Sequence, residues 1–239
     1  MKEKSSAGLQ QAKTAAVGRP KEKAKVLHEA LVYAGLEAAG LPVPKVCEVA
    51  ETPQGWQIRL EEISGTPLQQ SIRQDPQNLP RYIRQMVQLQ VLLHTKTAPL
   101  PGTLRQRLSR QIHQADCLSD AQRYEMLLRL QSLPDGSSLC HGGFSPQNLV
   151  VTPDKTYIVG WQDASLGAPA ADAAQTYLLL SLQLPQGAEL YLAEYSGQSG
   201  IAKREIQSWM PVVAAARLAC GHPQEQQHLL CWADVVQYA

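Results

Sequence analysis

The sequence predicts an α+β protein in two parts, a small and partly β N-terminal part followed by a large, mainly helical one. Three observations predict it. Trp56, Ile58 and Leu60 alternate after a Pro-Gln-Gly turn, which marks two short strands within residues 47–63. Apolar residues recur at three and four spacing both before and after that segment, which marks helices. Two β-branched runs, "NLVV" and "TYIVG", flank the turn "TPDK" and form a small hairpin inside the helical part.

Taken in order, residues 1–20 hold no alternating run long enough for a strand. Residues 20–40 are helical, with Val26, Leu27, Ala30, Leu31, Ala34 and Ala38 in register and Gly40 as the stop. "LPVPKV" follows as a proline-stiffened extended segment. "SGTP" at residues 64–67 breaks the strand pattern and sets the expected boundary between parts 1–63 and 64–239. A helix is expected over 79–95, with Ile83, Met86, Val87 and Val91 on one face, then two more over 103–115 and 119–132. "LPDGSS" is a loop. Three or four helices run from Ala170 to the end, with breaks at Pro185, Gly197 to Gly200 and Gly221 to Pro223.

Composition excludes several classes. Lys and Arg number 22 against 21 Asp and Glu, so no global field points to nucleic acid or a membrane surface. Basic residues gather near the start (Lys2, Lys4, Lys13, Arg19, Lys21, Lys23, Lys25), which reads as a solvated terminal segment. The longest apolar run, Tyr177 to Leu184, is interrupted by Ser181 and Gln183 and falls short of the about 20 residues of a membrane span. Five scattered cysteines, odd in number and without a CxxC, suit a reduced, cytoplasmic protein.

The chemistry gathers in residues 139–172. "LCHGGFSPQNLVV" places His141 and Asn148 on a loop, the hairpin follows, and a second loop opens at Gly160-Trp161-Gln162-Asp163. A phosphoryl-transfer site needs such a loop-hairpin-loop frame. It must hold a carboxylate for the hydroxyl proton, oxygen ligands for Mg²⁺ and a cation on the phosphates.

"LCHGGFSPQNLVVTPDKTYIVGWQDASLGAPAADAAQTYLLL" resembles the core of the aminoglycoside phosphotransferase and choline kinase-like family, whose pattern is His-Gly-Asp-x-x-x-x-Asn, a hairpin, Ile-Asp-Trp and Gly-x-Pro/Ala-x-x-Asp. The upstream "KVLHEALVYAGLEAAGLPVPKVCEVAE" and "IRLEEISGTPL" resemble its small-lobe helix and hinge, so the resemblance covers about residues 20 to 235. It implies a protein kinase-like bilobal fold with a reduced N-terminal lobe. It also implies roles: His141 braces the loop, Asn148 is a metal ligand, and Asp172 is structural. Glu29 stands where the helix Glu belongs, and Lys13 is the best-spaced phosphate-binding lysine, with Lys21 and Lys23 in competition. The backbone of Glu61, Glu62 and Ile63 is placed to meet an adenine.

Departures from the pattern redirect the functional reading. Gly143 stands where the family has its base, Gly160 where it has a metal carboxylate, and Ala168 at a third acidic position. The expectation is a pseudokinase-like protein with little or no phosphoryl transfer, binding a small molecule or protein partner in the interlobe cleft. No cofactor is then expected with certainty, and the resemblance alone speaks for ATP and Mg²⁺. Two alternatives stay open: an active ATP-dependent small-molecule O-phosphotransferase with a displaced carboxylate such as Asp163, and an interaction protein without a nucleotide site. Elsewhere, Cys220, His222, His228 and Cys231 match no common zinc spacing and read as incidental. His28, His94 and His113 read as surface or boundary residues, and Arg105, Arg107 and Arg110 as a solvated helix face. Trp161, Trp209 and Trp232 read as packing anchors.

Overall fold

The computed structural model describes residues 12–14, 22–100 and 102–233. Strand β1 (Ala12–Thr14) leads to helix α1 (Lys23–Ala38), which ends as the sequence predicts, just before Gly40 at φ 76°. The antiparallel hairpin β2 (Val46–Thr52) and β3 (Gly55–Leu60) follows, its turn at the expected Pro-Gln-Gly. Val26, Val32 and Leu36 bury one face of α1 against this hairpin. That burial, rather than helix propensity, holds the helix.

"SGTP" does not break the chain. It lies in strand β4 (Ile63–Pro67), which pairs with β1 at one end and with β6 (Leu149–Val151) at the other. With β7 (Thr156–Ile158), these strands form a four-stranded antiparallel sheet in the order β1-β4-β6-β7. Both partners of β4 are remote in sequence, so no local pattern announces it. β1 is likewise a three-residue strand where the sequence offered no strand pattern.

The helical part contains α2 (Leu68–Gln74), α3 (Leu79–His94), α4 (Leu104–Gln114), α5 (Asp120–Ser132), α6 (Pro169–Gln183), α7 (Pro185–Ser199), α8 (Lys203–Ser208), α9 (Met210–Arg217) and α10 (Pro223–Ala233). Capping boxes start α4, from Thr103 with Gln106, and α5, from Ser119 with Gln122. The expected face of α3 is buried at Ile83, Met86 and Val87, and α3 packs along α7. α4 and α6 both pack on α9, whose Val212 to Ala216 are buried. No helix among the described residues is long and apolar enough to cross a membrane.

Two short strands, β5 (Ser138–Cys140) and β8 (Ser165–Gly167), pair antiparallel and bring residues 141–148 beside residues 160–163. The hairpin β6–β7 fixes the other side: Val159 N–H donates to Asn148 O at 2.9 Å, and Ile158 N–H donates to Pro42 O at 2.8 Å. The "LPVP" segment is thereby tied to the floor of the site.

Candidate functional site

His141 anchors the first loop from the inside. It is fully buried, its Nε2–H donates to Val159 O at 2.9 Å, and its ring lies 4.5 Å from that of Trp161 and 5.7 Å from that of Phe144. Burial pushes its pKa below the ordinary 6.5, so the ring is neutral. Its Nδ1 is buried and has no hydrogen-bond partner among the described residues.

Gly142 has φ 81°, and its amide donates to Asp172 Oδ1 at 2.7 Å. A Cβ there would meet Asp163 O at 2.5 Å and Arg107 Nη2 at 2.9 Å, so only glycine fits. Asp172, in the first turn of α6, is fully buried. Its other oxygen accepts from Gln90 Nε2 and His94 Nε2, both at 3.0 Å. Burial opposes its ionisation, but the His94 hydrogen bond and charge and the Gly142 amide outweigh it and hold the carboxyl well below the usual range. His94 is therefore no surface residue. Its side chain is 6% exposed, and its Nδ1 lies 2.7 Å from the Tyr195 hydroxyl. His28 and His113 are exposed.

The two glycines of the motif differ from one another. Around Gly143 there is room, since the nearest heavy atom to a Cβ would be His141 Nδ1 at 4.0 Å. Gly160 is left-handed at φ 81°, and a Cβ would stand 2.9 Å from Asn148 Oδ1. Asn148 Nδ2 donates to Gly143 O at 2.8 Å, so this amide links the two positions. Helix α1 packs against the second loop, with the buried Tyr33 on its inner side. Burial, and then the charge of Glu29, push that phenol up to about 12. Trp161 is buried, with its Nε1–H on Ile158 O at 2.9 Å, whereas Asp163 is exposed. Ala168 is buried just ahead of α6.

This donor set does not fit Mg²⁺. The ion takes near-octahedral oxygen ligands and binds through one or two carboxylates beside the phosphates. Here the corner between the loops offers one neutral amide oxygen, Asn148 Oδ1, and the exposed carboxylate of Asp163. Among the described residues no group of three or more His, Cys, Asp and Glu could hold a metal, the region of Cys220, His222, His228 and Cys231 included.

On the side expected to meet a nucleotide, Lys13 sits in β1 with its backbone paired to Ser64, and Glu29 lies on α1. Lys23 places its ammonium 4.6 Å from the centre of the Trp56 ring; Lys21 lies outside the described residues. Glu61 N–H donates to Lys45 O at 2.8 Å, and the Glu61 carboxylate accepts from Lys45 N–H at 3.2 Å. Ile63 is buried and pairs with Thr14, while Glu62 is exposed. Two of the three expected hinge residues thus have backbone partners within the chain.

A cavity of about 260 Å³ opens beside the loops, lined among others by Gly143, Asn148, Gly160, Asp163 and Arg107. Arg107 corrects the expectation of a solvated face: it is 6% exposed. Its signal was in the sequence, because Leu104, Arg107, Leu108 and Gln111 share one helical face. Arg105 also turns inward, donating to Leu130 O and, at 2.8 Å, to Leu133 O; Arg110 is exposed. Trp209 is a buried anchor, whereas Trp232 is partly buried with its Nε1–H on His228.

Comparison with known proteins accords with this geometry. Solved structures of similar fold include an aminoglycoside-3'-phosphotransferase of type VIII (20% identity, 86% of this chain and 83% of that chain, TM-score 0.63). They also include the choline kinase LicA from Streptococcus pneumoniae (18% identity, 84% and 73%, TM-score 0.59). A thermostable mutant of the aminoglycoside phosphotransferase APH(4)-Ia has 16% identity over 91% and 82%, with a TM-score of 0.64. Among curated proteins none matches the chain. The kinase-like α+β fold expected from the motifs is therefore the fold observed. A model of the phosphotransferase enzyme family matches residues 13–232, and the chain belongs to that family.

Proposed function

We propose that this chain is a pseudokinase-like member of its family, a binding protein that performs little or no phosphoryl transfer. One observation carries the reading: glycines occupy both positions where the motif has acidic residues, and a side chain at Gly160 would need a left-handed backbone and a displaced Asn148 amide. A positioned base contributes about 10²–10⁴ in rate. A bound metal adds several kcal/mol of transition-state stabilisation. Positioning alone does not replace both. The bond of Glu61 N–H to Lys45 O further favours a ligand site that does not depend on a nucleotide. The cavity beside Gly143 supports a small molecule as the ligand.

The test is ADP release from Mg²⁺-ATP with streptomycin, choline and gluconate offered in turn as acceptors. The reading predicts no release above spontaneous hydrolysis. Turnover of about 1 s⁻¹ or more, ordinary for kinases, would overturn it. Asp163 supports a second reading, an active phosphotransferase with a displaced carboxylate, because it is exposed and lines the same cavity. ADP release that disappears in Asp163→Asn would establish that reading instead.

A further inference from the structure

The cavity contains a buried guanidinium that forms no salt bridge among the described residues. Arg107 Nη2 donates to Gln175 Oε1 at 3.0 Å, a neutral partner, and its Nε is buried with no partner among the described residues. No ion pair involves Arg107 among the described residues. The negative charges that act on it are those of Asp163 and Asp172. Asp172 is already taken by Gly142, Gln90 and His94, and Asp163, on the cavity wall, is exposed and makes no salt bridge to Arg107 among the described residues. Arg217, the other arginine of the cavity, shows the contrast: both Glu225 oxygens accept from it, at 2.8 and 3.0 Å. A buried guanidinium bonded only to an amide carries an uncompensated desolvation cost. An oxyanion delivered by a ligand would relieve it, and the planar fork of Arg suits a carboxylate or phosphate.

The rest of the wall is rich in carboxamides. Gln111 lies one turn beyond Arg107 on α4, and Gln147 donates to Gln183 at 2.8 Å across the cavity rim. Carboxamides both donate and accept, which matches hydroxyl groups. Among the described lining residues Asp163 is the sole carboxylate and none is aromatic, so an ammonium ligand finds little countercharge and no ring face. The volume of about 260 Å³ lies at the small end of ligand sites.

We propose that this cavity binds a small hydroxylated oxyanion, a sugar acid or a sugar phosphate by class, with the oxyanion on Arg107 and the hydroxyls on the glutamine amides. The proposal builds on the binding-protein reading but requires no nucleotide.

The experiment is thermal unfolding of the full chain, without ATP and at matched ionic strength, titrated with gluconate, glucose 6-phosphate, glucose or choline. Saturable stabilisation is expected from gluconate or glucose 6-phosphate, and which of the two acts separates carboxylate from phosphate. Glucose and choline are expected to give none. Gln111→Glu puts a carboxylate one turn from Arg107 without disturbing the buried arginine, and weakens oxyanion binding about tenfold or more. Arg107→Gln abolishes it. Stabilisation by neither oxyanion, equal stabilisation in Gln111→Glu, or stabilisation by choline would overturn the proposal. The ADP-release assay keeps the two readings separable. An oxyanion response together with turnover sinks the binding-only reading and spares the site, whereas absence of both sinks the site alone.

Discussion

Asn148 Oδ1 stands 2.9 Å from the point where a side chain at Gly160 would begin. The amide has settled against the glycine and, through Nδ2, holds Gly143 O at 2.8 Å. Returning carboxylates to the two glycine positions should therefore have unequal effects. Gly143→Asp enters open space and is expected to change stability by no more than about 0.5 kcal/mol. Gly160→Asp must adopt a left-handed backbone, at a cost of about 1–2 kcal/mol, and must also displace Asn148. Urea denaturation of the two variants checks the ordering; equal midpoints would contradict it.

Asp172 is the centre of the buried polar network. Its partners come from the first loop (Gly142) and from α3 (Gln90 and His94), so it joins three elements. Asp172→Ala leaves these groups unpaired in the core and is expected to cost about 3–5 kcal/mol. Its folded pKa is depressed, so its contribution is complete at neutral pH and is lost only as pH falls through and below the ordinary carboxylate range. The variant's stability curve should lose that acid-side slope relative to wild type.

His141 gives a dependence at milder pH. It is buried and neutral with its folded pKa below 6.5, so below that pH the unfolded chain takes a proton that the folded chain refuses. Stability from this group is full above about pH 6.5. It falls by up to about 1.4 kcal/mol per pH unit as pH drops toward the folded pKa. In His141→Gln the slope between pH 6.5 and 5.5 should flatten, as measured by denaturant midpoints across that range. An unchanged slope would contradict the assignment.

Gly142 has no room for a methyl group, with Asp163 O at 2.5 Å from the Cβ position and a left-handed backbone besides. Gly142→Ala is expected to destabilise by at least about 1–2 kcal/mol. It should also disturb the amide bond to Asp172. In the oxyanion titration the variant should respond more weakly than wild type, since Arg107 Nη2 lies 2.9 Å from the same point.

The fold was largely legible because its signals are local. The face of Ile83, Met86 and Val87, the stop at Gly40 and the hairpin around "TPDK" each depend on neighbours a few residues away. Strand β4 was not legible, since its partners lie at residues 12–14 and 150–151. The partners of His94 and Arg107 were hidden for a similar reason. His94 meets a carboxylate 78 residues further on, and Arg107 meets an amide 68 residues further on. Charge suggested a solvated face for Arg107, while its register with Leu104 and Leu108 placed it inward, and register won. The motif glycines could be named from the sequence, but the sequence could not show that one has room beside it and the other does not.

Thermal unfolding with ATP, in the presence and in the absence of Mg²⁺, tests the central claim most directly. With glycine at positions 143 and 160, the account predicts that adding Mg²⁺ leaves any ATP-induced shift in Tm unchanged. A large stabilisation that appears only when Mg²⁺ and ATP are present together, as saturating binding to the native state produces, would contradict it.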